Sequence, residues 1–370
     1  MKRQKKVFNQ QKIALVIALI LIIGAIIYIE INKPRITTIQ STNDRITIPL
    51  KDDKYPAAPE LAGIAGYINT NEDLKILDLK GKVVLVDFWT YTCINCIRTF
   101  PFINEWDQKY RDKGLVIIGV HTPEFEFEKK YENVLNAVKD YGIKYAVVQD
   151  NDYATWRAYN NRFWPHKFLI DAEGFIRYDH IGEGEYDTTE EQIQKLLSEI
   201  GEEVQMPLSE LEEKTPTQRQ TPELYAGYKF SLGRGQNIGN LGGLQPGTIN
   251  YILPSTILKD KIYLEGSWQA NPENLQAKQK NATIILSFTA KAVNIVADSD
   301  NGALELQVLI NGQPVSKDQA GSDMQFINGK SLIIIDEPKL YNIIDGDYGN
   351  YELKLVSNKE DFNFNAFTFG

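Results

Sequence analysis

Residues 82–101 constrain this chain more than any other stretch. Val83, Val84, Leu85, Val86, Phe88 and Trp89 form an apolar run rich in β-branched and aromatic residues, broken only by Asp87. Its length suits a strand buried in a sheet. Cys93 and Cys96 follow at Cys-x-x-Cys spacing, where a helix is expected to begin. The first thiol then meets unpaired N–H groups and the positive end of the helix dipole, which favour its thiolate. The second, one turn later, is near enough to close a disulfide, so the pair can cycle between dithiol and disulfide. A static disulfide would make no use of that position. Zinc would need two further ligands, and His121, His166 and His180, the only histidines, do not stand at ligand spacing. With no third cysteine, the pair has no intramolecular competitor.

Val86-Asp87-Phe88-Trp89, three residues, Cys93-Ile94-Asn95-Cys96, and Pro101 five residues further resemble the thioredoxin superfamily. The longer string from Trp89 to Pro101 is similar to its extracytoplasmic TlpA/DipZ-like branch. The resemblance implies that Asp87 is a buried acid moving protons to and from Cys96, and that Pro101 kinks the active-site helix. It also implies that Pro165, in Arg162-Phe163-Trp164-Pro165-His166-Lys167, is a cis-proline facing the thiols. Trp164, with Trp89, is then a candidate for substrate contact. Burial would raise the Asp87 pKa toward neutrality. His166 reads as a surface residue, and the polarity of a loop accounts for His121 and Glu124.

At 370 residues the chain exceeds one such unit, so two folded domains are expected. Net charge is -9, and five basic residues precede the first acid, leaving 35 basic against 49 acidic residues overall after them. An acidic body argues against nucleic-acid binding. The chain is expected to divide into a basic cytoplasmic tail (1–12), a transmembrane anchor (13–31), a tether (32–57), a thioredoxin-like α/β domain (58–201), a linker (202–222) and a second domain (223–370). The apolar run is longer than a signal-peptide core and lacks a small-residue cleavage site. Its basic flank places the later domains outside the cytoplasmic membrane, as a single-pass protein.

Within 58–201, residues 74–77 read as a possible first strand, with strands at 83–89, 115–120 and 145–148 and a closing hairpin at 167–170 and 175–180. Beyond residue 222 the pattern becomes short alternating segments at 283–288, 292–297, 304–310, 331–335, 340–344, 351–356 and 362–369. Asn311-Gly312 is a type I′ hairpin signal. Seven segments without a helix predict an all-β, jelly-roll-like sandwich of carbohydrate-binding-module type. This region resembles the C-terminal module of DipZ proteins through residues 221–228, Gly266-Ser267-Trp268 and Phe367-Thr368-Phe369-Gly370. DipZ proteins carry a multi-helix membrane electron conduit ahead of these domains; one anchor stands in that place here.

The expected activity is thiol-disulfide exchange on protein clients through Cys93 and Cys96, with Asp87 assisting and no cofactor beyond the redox-active pair. Reduction is favoured because Ile94-Asn95 adds no cation to over-stabilise the thiolate. A CcdA- or DipZ-like membrane protein is the implied electron donor. The alternatives are a thiol oxidase or isomerase of the same fold, or a surface protein whose sandwich binds a glycan or protein while the disulfide is incidental. Trp268, Tyr341, Tyr348 and Tyr351 are the aromatic platform such a glycan site would use.

Overall fold

The computed structural model describes residues 50–204 and 206–370. The expected tail, membrane span and first part of the tether lie outside the described residues. Among the described residues no helix is long and apolar enough to cross a membrane.

The chain enters through a hairpin of β1 (Leu50–Lys51) and β2 (Tyr55–Pro56). This hairpin already belongs to the first domain, because Lys51 bonds Asp171 at 2.9 Å and Ala57 bridges Phe175. A six-stranded sheet follows, built from β3 (Gly66–Ile68), β4 (Val83–Trp89), β5 (Leu115–His121), β6 (Ala146–Gln149), β7 (His166–Ile170) and β8 (Ile176–Ile181). The spatial order is β3-β6-β5-β4-β7-β8. β4, β5 and β6 are parallel, and the other pairings are antiparallel. Residues 74–77 do not form the expected strand. Only the three residues of β3 do so on that edge, and Ile76–Leu79 is a 3-10 turn.

Strand alternation divides the core. Val83, Leu85 and Trp89 face α1 (Ile94–Tyr110), α2 (Tyr131–Asp140) and α4 (Tyr186–Glu199), meeting Phe100, Ile103, Trp106, Val134, Ile193 and Leu197. Val84, Val86 and Phe88 face the opposite side, with Trp156 of α3 (Ala154–Ala158) and Tyr159. Burying each such side chain contributes roughly 1.5–3 kcal/mol, which makes β4 the firmest support available for a reactive loop at its C-terminal end.

The second domain is large and sheet-rich. Its frame is one antiparallel pair, Thr283–Ser299 with Lys339–Ser357, whose 17 and 19 residues pair from Thr283 opposite Val356 to Ala297 opposite Lys339, the register shifting between Ala290 and Ala292 and again between Val293 and Asn294. A bulge beside Lys291 bends the pair. One end of Thr283–Ser299 also pairs with Ile262–Ala270, and the other with Phe362–Phe369. Leu275–Ala277 joins those two flanking strands, closing the ladder around a core that includes Trp268, Phe288, Phe364 and Phe367. Leu304–Ile310 and Lys330–Ile335 extend the sheet beyond Lys339–Ser357.

Two pairs of expected segments are therefore single long strands, and Ile262–Ala270 and Thr248–Tyr251 are additional ones. The expectation of no helix is corrected by a short helix at Tyr228–Ser231. The Asn311-Gly312 turn forms as expected, with positive φ at both residues and Ile310 opposite Gln313.

Candidate active site

β4 ends at Trp89, and the chain turns over Thr90 to Thr92 before Cys93 opens α1 in extended conformation. The Cys93 carbonyl accepts from the Ile97 amide at 3.0 Å, the first turn of the helix. Both cysteines are free thiols, Cys93 partly exposed and Cys96 fully buried. Burial, then a hydrogen bond with Cys93, pushes the Cys96 thiol well above its ordinary value. One thiol is therefore presented and the other held back as a neutral group.

Asp87 lies on the α1 side of β4 and is 1% exposed, and its two carboxylate oxygens have no hydrogen-bond partner among the described residues. Burial raises its pKa to about 7, opposed by the positive charge of Lys167. Its charge is near enough to Cys96 to raise that thiol further. Gly119, opposite Asp87 in β5, leaves room for the neighbouring indole: a Cβ there would stand 2.8 Å from Trp89 Nε1.

The Trp164–Pro165 bond is cis, and the Trp164 carbonyl lies 3.8 Å from Cys93 Sγ. The structure thus brings Cys93, Cys96, Asp87, Pro165 and Trp164 together. Trp89 does not join them as a substrate contact. It is fully buried, edge-on to Phe100 and His121, because the strand that carries Asp87 inward carries the residue two positions later inward as well. His166 is buried rather than superficial, between Asn161 Oδ1 at 2.7 Å and Asp179 Oδ2 at 3.1 Å. His121 is neutral, with burial lowering its pKa to about 3.

Three contributors escaped the sequence reading. Lys167 stands opposite Asp87 across β4 and β7, is fully buried, and donates to the Gly182 carbonyl at 3.0 Å. Glu128 accepts from the Thr92 hydroxyl at 2.6 Å and from the amides of Glu124 and Phe125 at 2.5 and 2.9 Å, fixing the residue before Cys93. Arg98, one turn into α1, forks onto Glu183 at 2.6 and 2.8 Å. A lysine in an apolar strand and a glutamate in an acidic loop both read as solvent-facing. No sequence period distinguishes them.

The second domain touches this region directly. Phe125 packs against Tyr225 and Phe230, with centroids 6.4 and 5.5 Å apart. The Tyr225 hydroxyl lies 2.8 Å from Glu124 and 2.9 Å from Glu223. One hydroxyl hydrogen can serve only one carboxylate, so the other contact requires a protonated carboxyl donating to the phenol oxygen. Burial raises the Glu124 pKa to about 8, and local desolvation raises Glu223 in the same direction although that residue as a whole is exposed. Of the expected aromatic platform, Trp268 and Tyr341 are buried in the core, leaving Tyr348 exposed and Tyr351 partly so.

Residues 53–197 match the family described as Redoxin, and residues 221–370 match the thioredoxin-like C-terminal domain. Protein DipZ of Mycobacterium tuberculosis is 35% identical over 318 residues, 85% of this chain and 43% of that protein. The chain thus spans less than half the length of the DipZ proteins it matches. Thiol-disulfide oxidoreductase ResA of Bacillus cereus is 35% identical over 127 residues, 34% of this chain and 68% of that protein. NHL repeat-containing protein 2 of Homo sapiens is 38% identical over 133 residues, 35% of this chain and 18% of that protein. This chain covers two thirds of ResA at 35% identity, and the DipZ match is long enough to run across both domains, so the chain belongs to the thioredoxin superfamily and is DipZ-like in its two-domain arrangement.

Proposed function

We propose that the protein is a thiol-disulfide oxidoreductase that reduces disulfides in client proteins outside the cytoplasmic membrane. The observation that carries this reading is the unpartnered, buried Asp87 beside a buried Cys96 and a partly exposed Cys93. A carboxylate held without hydrogen bonds costs several kcal/mol, a cost that a proton-transfer role accounts for.

The Cys93 thiolate attacks one sulfur of a client disulfide and releases the other as a thiolate, which takes a proton from solvent. Asp87 then accepts the Cys96 proton, and Cys96 attacks the Cys93 sulfur. The second client thiol leaves, and two electrons have passed from the Cys93/Cys96 dithiol to the client. The Trp164 carbonyl and Pro165 border the exposed thiol and offer backbone to an extended client. Residues 13–31, apolar behind a basic flank, support membrane anchoring, and a CcdA- or DipZ-like protein is the electron donor this scheme requires. The bent, closed sheet supports reading the second domain as a jelly-roll-like sandwich.

Equilibration in thiol/disulfide buffers measures the potential of the pair. A value near about -270 mV is the expected outcome, and one near about -120 mV would make the protein an oxidant of client thiols. A pair that cannot be oxidised and reduced in the folded protein would sink the redox reading.

A further inference from the structure

A cleft of about 780 Å³ opens between the two domains. Ile94, Ile97 and Arg98 of α1 form one wall, the connecting strap 212–220 another, and Leu340, Asn342 and Tyr348 of the sheet-rich domain a third. Ile94, which stands between the two cysteines, lines the cleft, so the cleft adjoins the thiol pair although neither Cys93 nor Cys96 is part of its lining. The strap is tied down at its far end: Gln220 donates to the Phe369 carbonyl at 3.2 Å, and the Tyr348 hydroxyl donates to the Arg219 carbonyl at 2.5 Å.

The charges on the walls compensate one another. Arg98 is held by Glu183 and donates to the Gly370 carbonyl at 3.4 Å. Lys339 lies 3.6 Å from Asp323, and Lys291 lies 3.9 Å from Asp345. Five acids and four bases line the space, so it does not select a polyanion or a polycation. What distinguishes it is the mixture of isoleucine and leucine surface with neutral amides and hydroxyls. An extended polypeptide needs that mixture, since its amides seek hydrogen-bond partners while alternate side chains seek apolar cover.

We propose that this cleft docks an extended polypeptide segment next to the client disulfide, making the sheet-rich domain the element that selects clients for Cys93. The proposal rests on the thiol-exchange reading above. It assigns the second domain a part in the reaction through KM rather than through the chemical step.

Thr217 on the strap and Ser322 on the facing wall are exposed, and neither belongs to the thiol machinery. In the full-length protein, Thr217→Trp and Ser322→Trp place an indole in the cleft. For a polar synthetic peptide carrying one cystine, kcat/KM is expected to fall about tenfold, through KM, while exchange with hydroxyethyl disulfide stays at the wild-type rate. Unchanged peptide kinetics in both variants would overturn the proposal. Fluorescence anisotropy of the same peptide with serine at both cysteine positions needs no turnover, and its binding is expected to weaken in both variants. Absence of binding to the wild-type protein, or displacement by a soluble oligosaccharide but not by unlabelled peptide, overturns it too. If the wild-type protein exchanges with neither disulfide yet still binds the serine peptide in the cleft, the thiol-exchange reading fails and the docking role in catalysis falls with it.

Discussion

In the thioredoxin-like domain Asp87, Glu128, Lys167 and Glu190 are at most 1% exposed, whereas the buried polar side chains of the sheet-rich domain are neutral ones such as Asn294, Ser331, Ser357 and Asn363. Burying a charge is expensive unless it is paired or neutralised, so the two domains are under different demands. The first domain also contains both solutions to that cost. Glu190 is surrounded by donors from Trp106, Tyr110, Lys109 and the Ser209 amide, and Glu128 by Thr92 and two amides. Those carboxylates brace the fold. Asp87 has no such partners, and a group left unsupported in that way is available to take and release a proton.

The largest expected effect tests whether the neutral domain is a separate body. Trp268→Ala removes a fully buried indole and should cost about 3–5 kcal/mol. Urea unfolding is expected to show an early transition in the sheet-rich domain while the thiols still exchange with a small disulfide. Simultaneous loss of both would mean that the domains unfold as one unit rather than as two bodies.

Asp87→Asn tests the unpartnered charge. The attack by Cys96 should slow by roughly 10²-fold, the usual scale for lost general-base assistance. In the wild type that step accelerates as pH rises through about 7, where Asp87 ionises; the substitution should abolish the inflection. Stability runs the opposite way. The folded pKa of about 7 lies above the ordinary 3.8, so the protonated group's contribution is complete below 3.8 and is lost as pH rises through about 7. The loss is on the order of 4 kcal/mol, from about 1.4 kcal/mol per pKa unit, and denaturation of Asp87→Asn should lack it. A surviving inflection in the mutant's kinetics would place the proton acceptor elsewhere.

The smallest effect lies where the domains meet. Tyr225→Phe deletes the hydroxyl shared by Glu124 and Glu223 and should destabilise by roughly 1–2 kcal/mol. Desolvation raises both carboxyls above 4.5, while the Tyr225 hydroxyl opposes that rise and so favours the ionised form. The difference between mutant and wild type should therefore be smallest below 4.5 and grow as pH climbs through the raised values. A difference that does not change with pH would mean that the hydroxyl does not act on these carboxyls.

What the sequence revealed depended on how each element is packed. β4 is apolar on both faces, so it stands out as a continuous run, and the pair that follows it carries its own chemistry. β3 buries only Ile68 among three residues and leaves no pattern to read. The long strands of the second domain were divided by features that normally end a strand: Lys291 at the bulge, and Gly346 and Gly349 in Lys339–Ser357. There the ladder is interrupted over Lys291 and residues 346–348 and resumes at Ala292 opposite Asp345. Within the site, Cys93 and Cys96 were legible because they are the chain's two cysteines, and Pro165 through the family resemblance of the stretch around it. Lys167 and Glu128 are common residues whose roles come only from what surrounds them, and Trp89 misled because an aromatic beside a reactive loop can face either way.

Thr283–Ser299 and Lys339–Ser357 each run through both ends of their domain. Neither of these two strands can peel away without breaking ladders at both ends, so amide hydrogens along them should exchange together, only on global opening of the domain. The partner segments are brought together from 283 to 356 and from 224 to 367, so few of these contacts can form early in a folding chain. The domain is then slow to assemble and, once assembled, reluctant to open in pieces. For a body that forms one wall of a reactive cleft, that all-or-none behaviour keeps the wall in place for as long as the fold lasts.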